Sequence, residues 1–181
     1  MQERRAFPTL NDAPEVRAGA RTGRRWLLIA AVALAVVVVD QVTKTWALHH
    51  LRNGPRHVIW TLRLNLTFNT GVAFSEATGS TTLVTVVAVV VVGLLLVIAR
   101  RTRGSATAVV LGLVVGGALG NLADRLVRHH GGGVIDFIDL QWWPVFNVAD
   151  AAISVAVVLA VVRSLMGGAR GGRGESASGA V

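Results

Sequence analysis

The chain is built from long apolar runs separated by short polar stretches. Residues 26–47, 82–99, 106–127 and 148–166 are almost wholly apolar. At about 1.5 Å of rise per residue, a helix of about 20 residues crosses a hydrocarbon core of about 30 Å. The pattern therefore predicts four membrane-spanning helices. Residues 60–68 follow another period: Trp60, Leu62, Leu64, Leu66 and Phe68 alternate with Thr61, Arg63, Asn65 and Thr67. Strict alternation predicts a β-strand with one apolar and one polar face. A strand exposed to lipid leaves its backbone groups unpaired, so this one is expected on the outer surface, apolar face toward the bundle or the lipid boundary. Asn69-Thr70-Gly71 then reads as a turn.

Small residues recur inside two of the runs. Gly112, Gly116 and Gly120 stand four apart with Gly117 beside them, and Ala152, Ala156 and Ala160 repeat the spacing. In a membrane such spacing lets helix backbones approach closely. Residues 1–25 are polar and Arg-rich, with Pro8 and Pro14, and the chain becomes rich in Gly, Ser and Arg from Gly167. Both ends are expected to be disordered cytoplasmic tails, leaving residues 26–166 as one membrane domain.

Composition narrows the class. Hydrophobic residues make up 52% of the chain and charged residues 15%, the profile of a membrane protein. The net charge of +8 sits mostly beside apolar runs, where it signals topology and meets anionic lipid. No basic stripe interleaves with aromatics, so nucleic acid is not an expected partner. The absence of cysteine excludes disulfides, thiolate metal sites and a cysteine nucleophile. Arg24-Arg25-Trp26-Leu27-Leu28 has the look of a twin-arginine export signal, but the run that follows is too long for one and carries Asp40 and Lys44 near its far end.

With both termini inside, twelve of the eighteen basic residues fall on the cytoplasmic side and six outside. The positive-inside rule favours that orientation. It brings Asp40, Lys44, the strand, Asp124, Asp136 and Asp150 to one outer rim.

Ionised carboxylates beside hydrocarbon are costly and mark candidate functional sites. Asp136 lies in Val134-Ile135-Asp136-Phe137-Ile138-Asp139, read as a short loop. Asp150 closes Phe146-Asn147-Val148-Ala149-Asp150, where the last span begins. Two acids close enough to share a proton form an acid/base pair that activates water, one ionised and one protonated. Asp139 rivals Asp136 on spacing alone. Asp40 and Lys44 stand one helical turn apart in the favourable order for an ion pair. Asn69 offers an amide to a peptide backbone. Asn121 and Arg125 share a helix face, and the Arg125 fork suits carboxylate or carbonyl oxygens. Asp124 is expected to be structural, paired with its neighbour Arg125.

These clusters, in this order, closely resemble the lipoprotein signal peptidase (signal peptidase II) family. The resemblance rests on Asp40-Gln41-Val42-Thr43-Lys44, Asn69-Thr70-Gly71-Val72-Ala73-Phe74-Ser75, Gly116-Gly117-Ala118-Leu119-Gly120-Asn121-Leu122-Ala123-Asp124-Arg125, Val134-Ile135-Asp136-Phe137 and Phe146-Asn147-Val148-Ala149-Asp150. It covers about residues 26–166. It implies an all-α membrane protein, four transmembrane helices with a small extracytoplasmic β-sheet cradle, in the bacterial cytoplasmic membrane. It implies an aspartic endopeptidase that removes signal peptides from prolipoproteins, cutting before a diacylglyceryl-modified cysteine. Asp136 and Asp150 would be its catalytic pair. Asn69, Asn121, Arg125 and Asn147 would line the substrate site, with Asp40, Lys44, Gly71 and Asp124 in support. No cofactor or metal is implied. The partners would be lipid-modified prolipoproteins and membrane lipids, with the chain acting as a monomer.

Two rivals remain at this stage. A serine/lysine peptidase would use Ser75 and Lys44, but Lys44 would need a depressed pKa and Asp40 one turn away opposes that. A proton or ion carrier would use the rim acids, but needs them along a path through the bilayer rather than at one depth. The adjacent pairs His49-His50 and His129-His130 lack chelating helix spacing, and no HExxH motif is present.

Overall fold

A computed structural model describes residues 14–70, 80–101, 104–128 and 133–171. Helix α1 spans Pro14–His50, α2 Ser80–Arg101, α3 Ser105–Val127 and α4 Val148–Gly171. Strands β1 (Arg56–Ile59), β2 (Leu62–Asn69) and β3 (Val134–Asp139) form one antiparallel sheet in the order β1-β2-β3.

All four apolar runs are helical. Three of them, Gly23–His50, Ser105–Val127 and Val148–Met166, are long and apolar enough to cross a membrane. Helix α3 packs against α1, α4 and α2. Many large apolar side chains on the helix exteriors stay exposed, among them Leu34, Val38, Val42, Val87, Val90, Val157 and Val161. Apolar surface on this scale marks a face meant for another apolar phase.

The helices reach further than the apolar runs. Helix α1 begins at Pro14 and α4 continues to Gly171, so both borders of the expected tails are helical. A proline is compatible with a first helical position because its missing N–H has no partner there anyway.

Glycine spacing on α3 sets the helix packing. A Cβ at Gly116 would lie 2.8 Å from the Ala33 carbonyl oxygen, and one at Gly120 would lie 2.7 Å from Asp40 Oδ2, both on α1. Gly117 faces α4 instead, where a Cβ would lie 2.5 Å from the Ala149 carbonyl oxygen. The alanine series on α4 serves less: Ala156 is fully buried, but Ala160 is exposed.

The strand predicted over residues 60–68 is β2, shifted to Leu62–Asn69. Trp60 instead makes the turn from β1, with φ of 50°, a left-handed conformation that a bulky residue rarely takes. Asn69 is the last residue of the strand, and Gly71 lies outside the described residues. Leu64 and Leu66 pack with Ala47, Leu51, Phe137, Ile138 and Val148, joining the sheet to the ends of α1 and α4.

The segment carrying Asp136 is a strand, not the expected loop. All of its residues but the half-buried Ile138 are buried, and a buried backbone needs its hydrogen bonds supplied by a ladder. Antiparallel pairing with β2 supplies them on one side. On the other, Phe146 exchanges backbone hydrogen bonds with Ile138, at 2.8 and 3.0 Å.

Candidate active site

The acids gather where the sheet meets the ends of α1, α3 and α4. Position 136 is set by pairing. Thr67 stands opposite Asp136, and Arg63 stands opposite Asp139. Asp136 and Asp139 are three apart on a strand and so point to opposite faces. A register shift in β2 between Leu64 and Thr67 inserts one residue and reverses which face its later side chains meet. Arg63 therefore accompanies Asp139, while Thr67 and Asn69 accompany Asp136.

Asp136 is 1% exposed. Asn69 Nδ2 donates to its Oδ2 at 3.1 Å, and Asn147 Nδ2 donates to its Oδ1 at 2.6 Å. Burial pushes its pKa up to about 6, aided by the negative charge of Asp150 and opposed by the two asparagine hydrogen bonds and by Lys44. Asp139 lies apart from this group. Arg63 Nε donates to it at 2.6 Å, Asn65 Nδ2 at 3.4 Å and the Gln141 N–H at 2.7 Å.

Asp150 occupies the first turn of α4, held by a reciprocal cap. The Asn147 side-chain oxygen accepts the Asp150 N–H at 2.9 Å, and Asp150 Oδ2 accepts the Asn147 N–H at 3.3 Å. This is a capping box: two orphan donors at a helix start satisfied by side chains three residues apart. The helix dipole favours a negative charge at that end. Asn121 Nδ2 adds a hydrogen bond to Asp150 Oδ1 at 2.8 Å. Asn147 thus touches both acids, and its Nδ2 also reaches Asn121 Oδ1 at 3.0 Å. Four of the expected residues, Asn69, Asn121, Asn147 and Asp150, surround Asp136 directly or through one amide.

Arg125 lies on the same side of α3, half-buried, within electrostatic reach of Asp124, Asp136 and Asp150. Its Nε is buried and has no hydrogen-bond partner among the described residues. Asp124 does not pair with Arg125, as its neighbourhood in sequence suggested. It pairs with Lys44 at 2.9 Å and with Arg128 at 3.4 Å. Successive helix residues point about 100° apart, whereas residues four apart share a face.

Asp40 and Lys44 form the expected pair at 2.8 Å, both fully buried. Two residues without an expected role join them. Gln41 Nε2 donates to Asp124 Oδ1 and to the Gly120 carbonyl, both at 3.0 Å, and Arg128 binds the Gln41 side chain and Thr45. The one available signal was the position of Gln41 beside Asp40; for Arg128 it was its place four residues after Asp124. Ser75 and Gly71 lie outside the described residues. Among the described residues, no group of three or more His, Asp or Glu side chains is placed to hold a metal ion. His49 and His50 turn their Nδ1 atoms to the carbonyls one turn back.

Known proteins share this arrangement of sequence. The family model described as signal peptidase (SPase) II matches residues 32–166. The lipoprotein signal peptidase of Rhodococcus jostii (strain RHA1) is 44% identical over 153 residues, covering 81% of this chain and 76% of the relative. That of Mycobacterium avium (strain 104) is 42% identical over 165 residues, covering 88% of each. A solved structure described as a bacterial membrane enzyme superposes with a TM-score of 0.69 at 27% identity, covering 79% of this chain and 93% of the other. A match over three quarters of the chain, with relatives at this identity, places the protein in the signal peptidase II family of aspartic peptidases.

Proposed function

We propose that Asp136 and Asp150 are the catalytic pair with which this membrane peptidase cuts prolipoproteins just before a diacylglyceryl-modified cysteine. Removal of prolipoprotein signal peptides is the activity of its family. The observation that carries the assignment is Asn147, which binds Asp136 through its side chain and Asp150 through its backbone N–H. One residue thereby contacts both acids.

The roles follow from their surroundings. Asp150 accepts hydrogen bonds from the Asn121 side chain and the Asn147 N–H at the start of α4. It takes the proton from water. Asp136, buried and with its pKa raised to about 6, carries the proton that hydrogen-bonds the scissile carbonyl. Water attacks the carbonyl carbon and the oxygen takes the proton from Asp136. As the tetrahedral adduct collapses, the C–N bond breaks, the amine takes the proton from Asp150, and a hydroxyl of the adduct returns its proton to Asp136. The negative charge of Asp150 adds to the burial that raises the Asp136 pKa, which keeps the proton on Asp136. The Arg125 guanidinium, with its free buried Nε, binds a substrate carbonyl beside the cut. Asn69, Asn121 and Asn147 orient the peptide.

The site faces the extracytoplasmic side of the bacterial membrane, with both termini in the cytoplasm and α2 as the fourth span. The distribution of basic residues supports this orientation, and the 22-residue apolar α2 supports the fourth span. The sheet rests on the lipid surface. Trp60, Trp142 and Trp143 are 85%, 69% and 58% exposed beside it, and tryptophan favours the headgroup level. The substrate's acyl chains and signal helix then stay in lipid while the bond reaches the acids, a proximity gain. One chain supplies both acids and their supports, so the peptidase acts as a monomer.

The test is cleavage of a diacylglyceryl-modified prolipoprotein by the full chain in detergent. Asp136→Asn and Asp150→Asn each abolish it, while Ser75→Ala leaves most activity. Loss with Ser75→Ala and survival of the two Asn variants would sink the assignment.

A further inference from the structure

Two backbone N–H groups in the buried network stand in equivalent places. The Ala149 N–H donates to Asp40 Oδ1 at 2.9 Å, and the Ile135 N–H donates to Asp124 Oδ2 at 3.0 Å. Ala149 immediately precedes Asp150, and Ile135 immediately precedes Asp136. Each gripping carboxylate then binds the same ammonium: Lys44 Nζ lies 2.8 Å from Asp40 Oδ2 and 2.9 Å from Asp124 Oδ2. Its third hydrogen bond goes to Asn121 Oδ1 at 3.0 Å. Asn121 in turn donates to Asp150. An ammonium has three donors, and all three lead to groups that hold the two acids.

We propose that Lys44 is a positioning residue that sets the spacing of Asp136 and Asp150, through two carboxylates that each grip the backbone just ahead of one of them. The inference rests on the catalytic assignment above. A role in packing alone does not account for the arrangement. Lys44, Asp40 and Asp124 are all 0% exposed, and a buried ionic cluster is often no more stable than apolar side chains of the same volume. What apolar side chains lack is direction. A carboxylate fixes an N–H to within a few tenths of an ångström, and one shared cation makes the two grips a single unit. Gly120 completes it, since any side chain there would displace Asp40 Oδ2.

The double variant Asp40→Asn with Lys44→Met leaves Asp124 paired with Arg128, so no buried charge is stranded. It is measured in the full chain with a diacylglyceryl-modified prolipoprotein, for kcat, KM, pH profile and thermal unfolding. The expected result is a folded protein whose kcat falls by about a hundredfold, the effect of moving a reacting group by about 1 Å, with KM little changed. The pH profile carries two opposed effects: loss of the Lys44 charge by itself moves the high-pH limb up, because that charge holds the Asp136 pKa down, whereas parting Asp136 from the Asp150 charge moves it down. The groups facing Asp136 that set this limb are Asp150 on α4, Lys44 on α1, Arg125 on α3 and Asn69 on β2.

A second comparison covers a failure of that variant to fold. Asp124→Asn keeps an oxygen for the Ile135 N–H, whereas Asp124→Leu keeps the volume and removes the acceptor. Positioning predicts that the first retains far more kcat than the second, beyond any difference in melting temperature. Wild-type kcat in a folded double variant overturns the proposal whichever way the limb moves, as do equal losses in the two Asp124 variants. Asp136→Asn and Asp150→Asn are run alongside. If they cleave, the catalytic assignment falls and the positioning role with it; if they are dead while the double variant is normal, only the positioning role falls.

Discussion

Arg63 Nε donates to Asp139 Oδ2 at 2.6 Å, and this one contact separates two acids that look alike in the sequence. Burial raises the Asp139 pKa, but the Arg63 hydrogen bond, the Gln141 N–H and the Arg63 charge together hold it below the ordinary carboxylate value. Asp139 is a brace between β2 and β3. Asp139→Asn is therefore expected to keep most cleavage activity, while Asp136→Asn loses about a thousandfold or more. The sign on stability follows from the depressed pKa. The stabilisation is present above the unfolded value of 3.8 and is lost as pH falls through the folded one. Melting temperatures between pH 5 and 3 should fall less steeply in Asp139→Asn than in the wild type.

On the proposed roles, the pH dependence of cleavage reports Asp136. With its proton required and its pKa raised to about 6, kcat/KM is expected to decline above that pH, since this parameter reads the free enzyme. Asn69 donates to Asp136 and so favours its ionised form. Removing that donor raises the pKa further. Asn69→Ala should move the declining limb to higher pH; an unmoved limb, or one moved down, would show that another group controls it.

Gly117 and Gly120 are expected to tolerate no side chain. A Cβ at Gly117 meets the Ala149 carbonyl at 2.5 Å, and one at Gly120 meets Asp40 Oδ2 at 2.7 Å. Gly117→Ala and Gly120→Ala should each cost about 1–3 kcal/mol and reduce activity. Gly93, on α2, has nothing within 4 Å of a Cβ. Gly93→Ala should be neutral or gain up to about 1 kcal/mol from helix propensity. Thermal unfolding of the three variants in one detergent checks the order.

Asn147 combines a cap with a bridge. Loss of the cap in Asn147→Ala should cost about 1 kcal/mol of stability. The loss of kcat should be larger than that figure explains, because the same side chain holds Asp136. Kinetics together with melting temperature separate the two effects. A kcat loss no greater than the cap accounts for would remove Asn147 from the site.

Much of this architecture was legible in the chain itself. Apolar runs of membrane length marked the four helices, because a helix in lipid must satisfy its own backbone. The alternation ending at Phe68 marked β2, and the small residues of α3 marked its close packing. The acids of the candidate site stood out in the chain too, since carboxylates beside apolar runs are rare. Tertiary structure decided the rest. Spacing alone did not distinguish Asp136 from Asp139, which only the motif resemblance separated, because the deciding β2 register shift depends on pairing with β3. Nor did it assign Asp124 to Lys44, a partner 80 positions away on another helix, when Arg125 stood next to it. The Val134–Asp139 segment carried too little periodicity to be read as a strand; β2 on one side and Phe146 on the other make it one. Periodicity is a local property, written in each segment's own side chains. Which acid meets which cation depends on where separate segments meet, and that is settled only when the helices and the sheet close on one another.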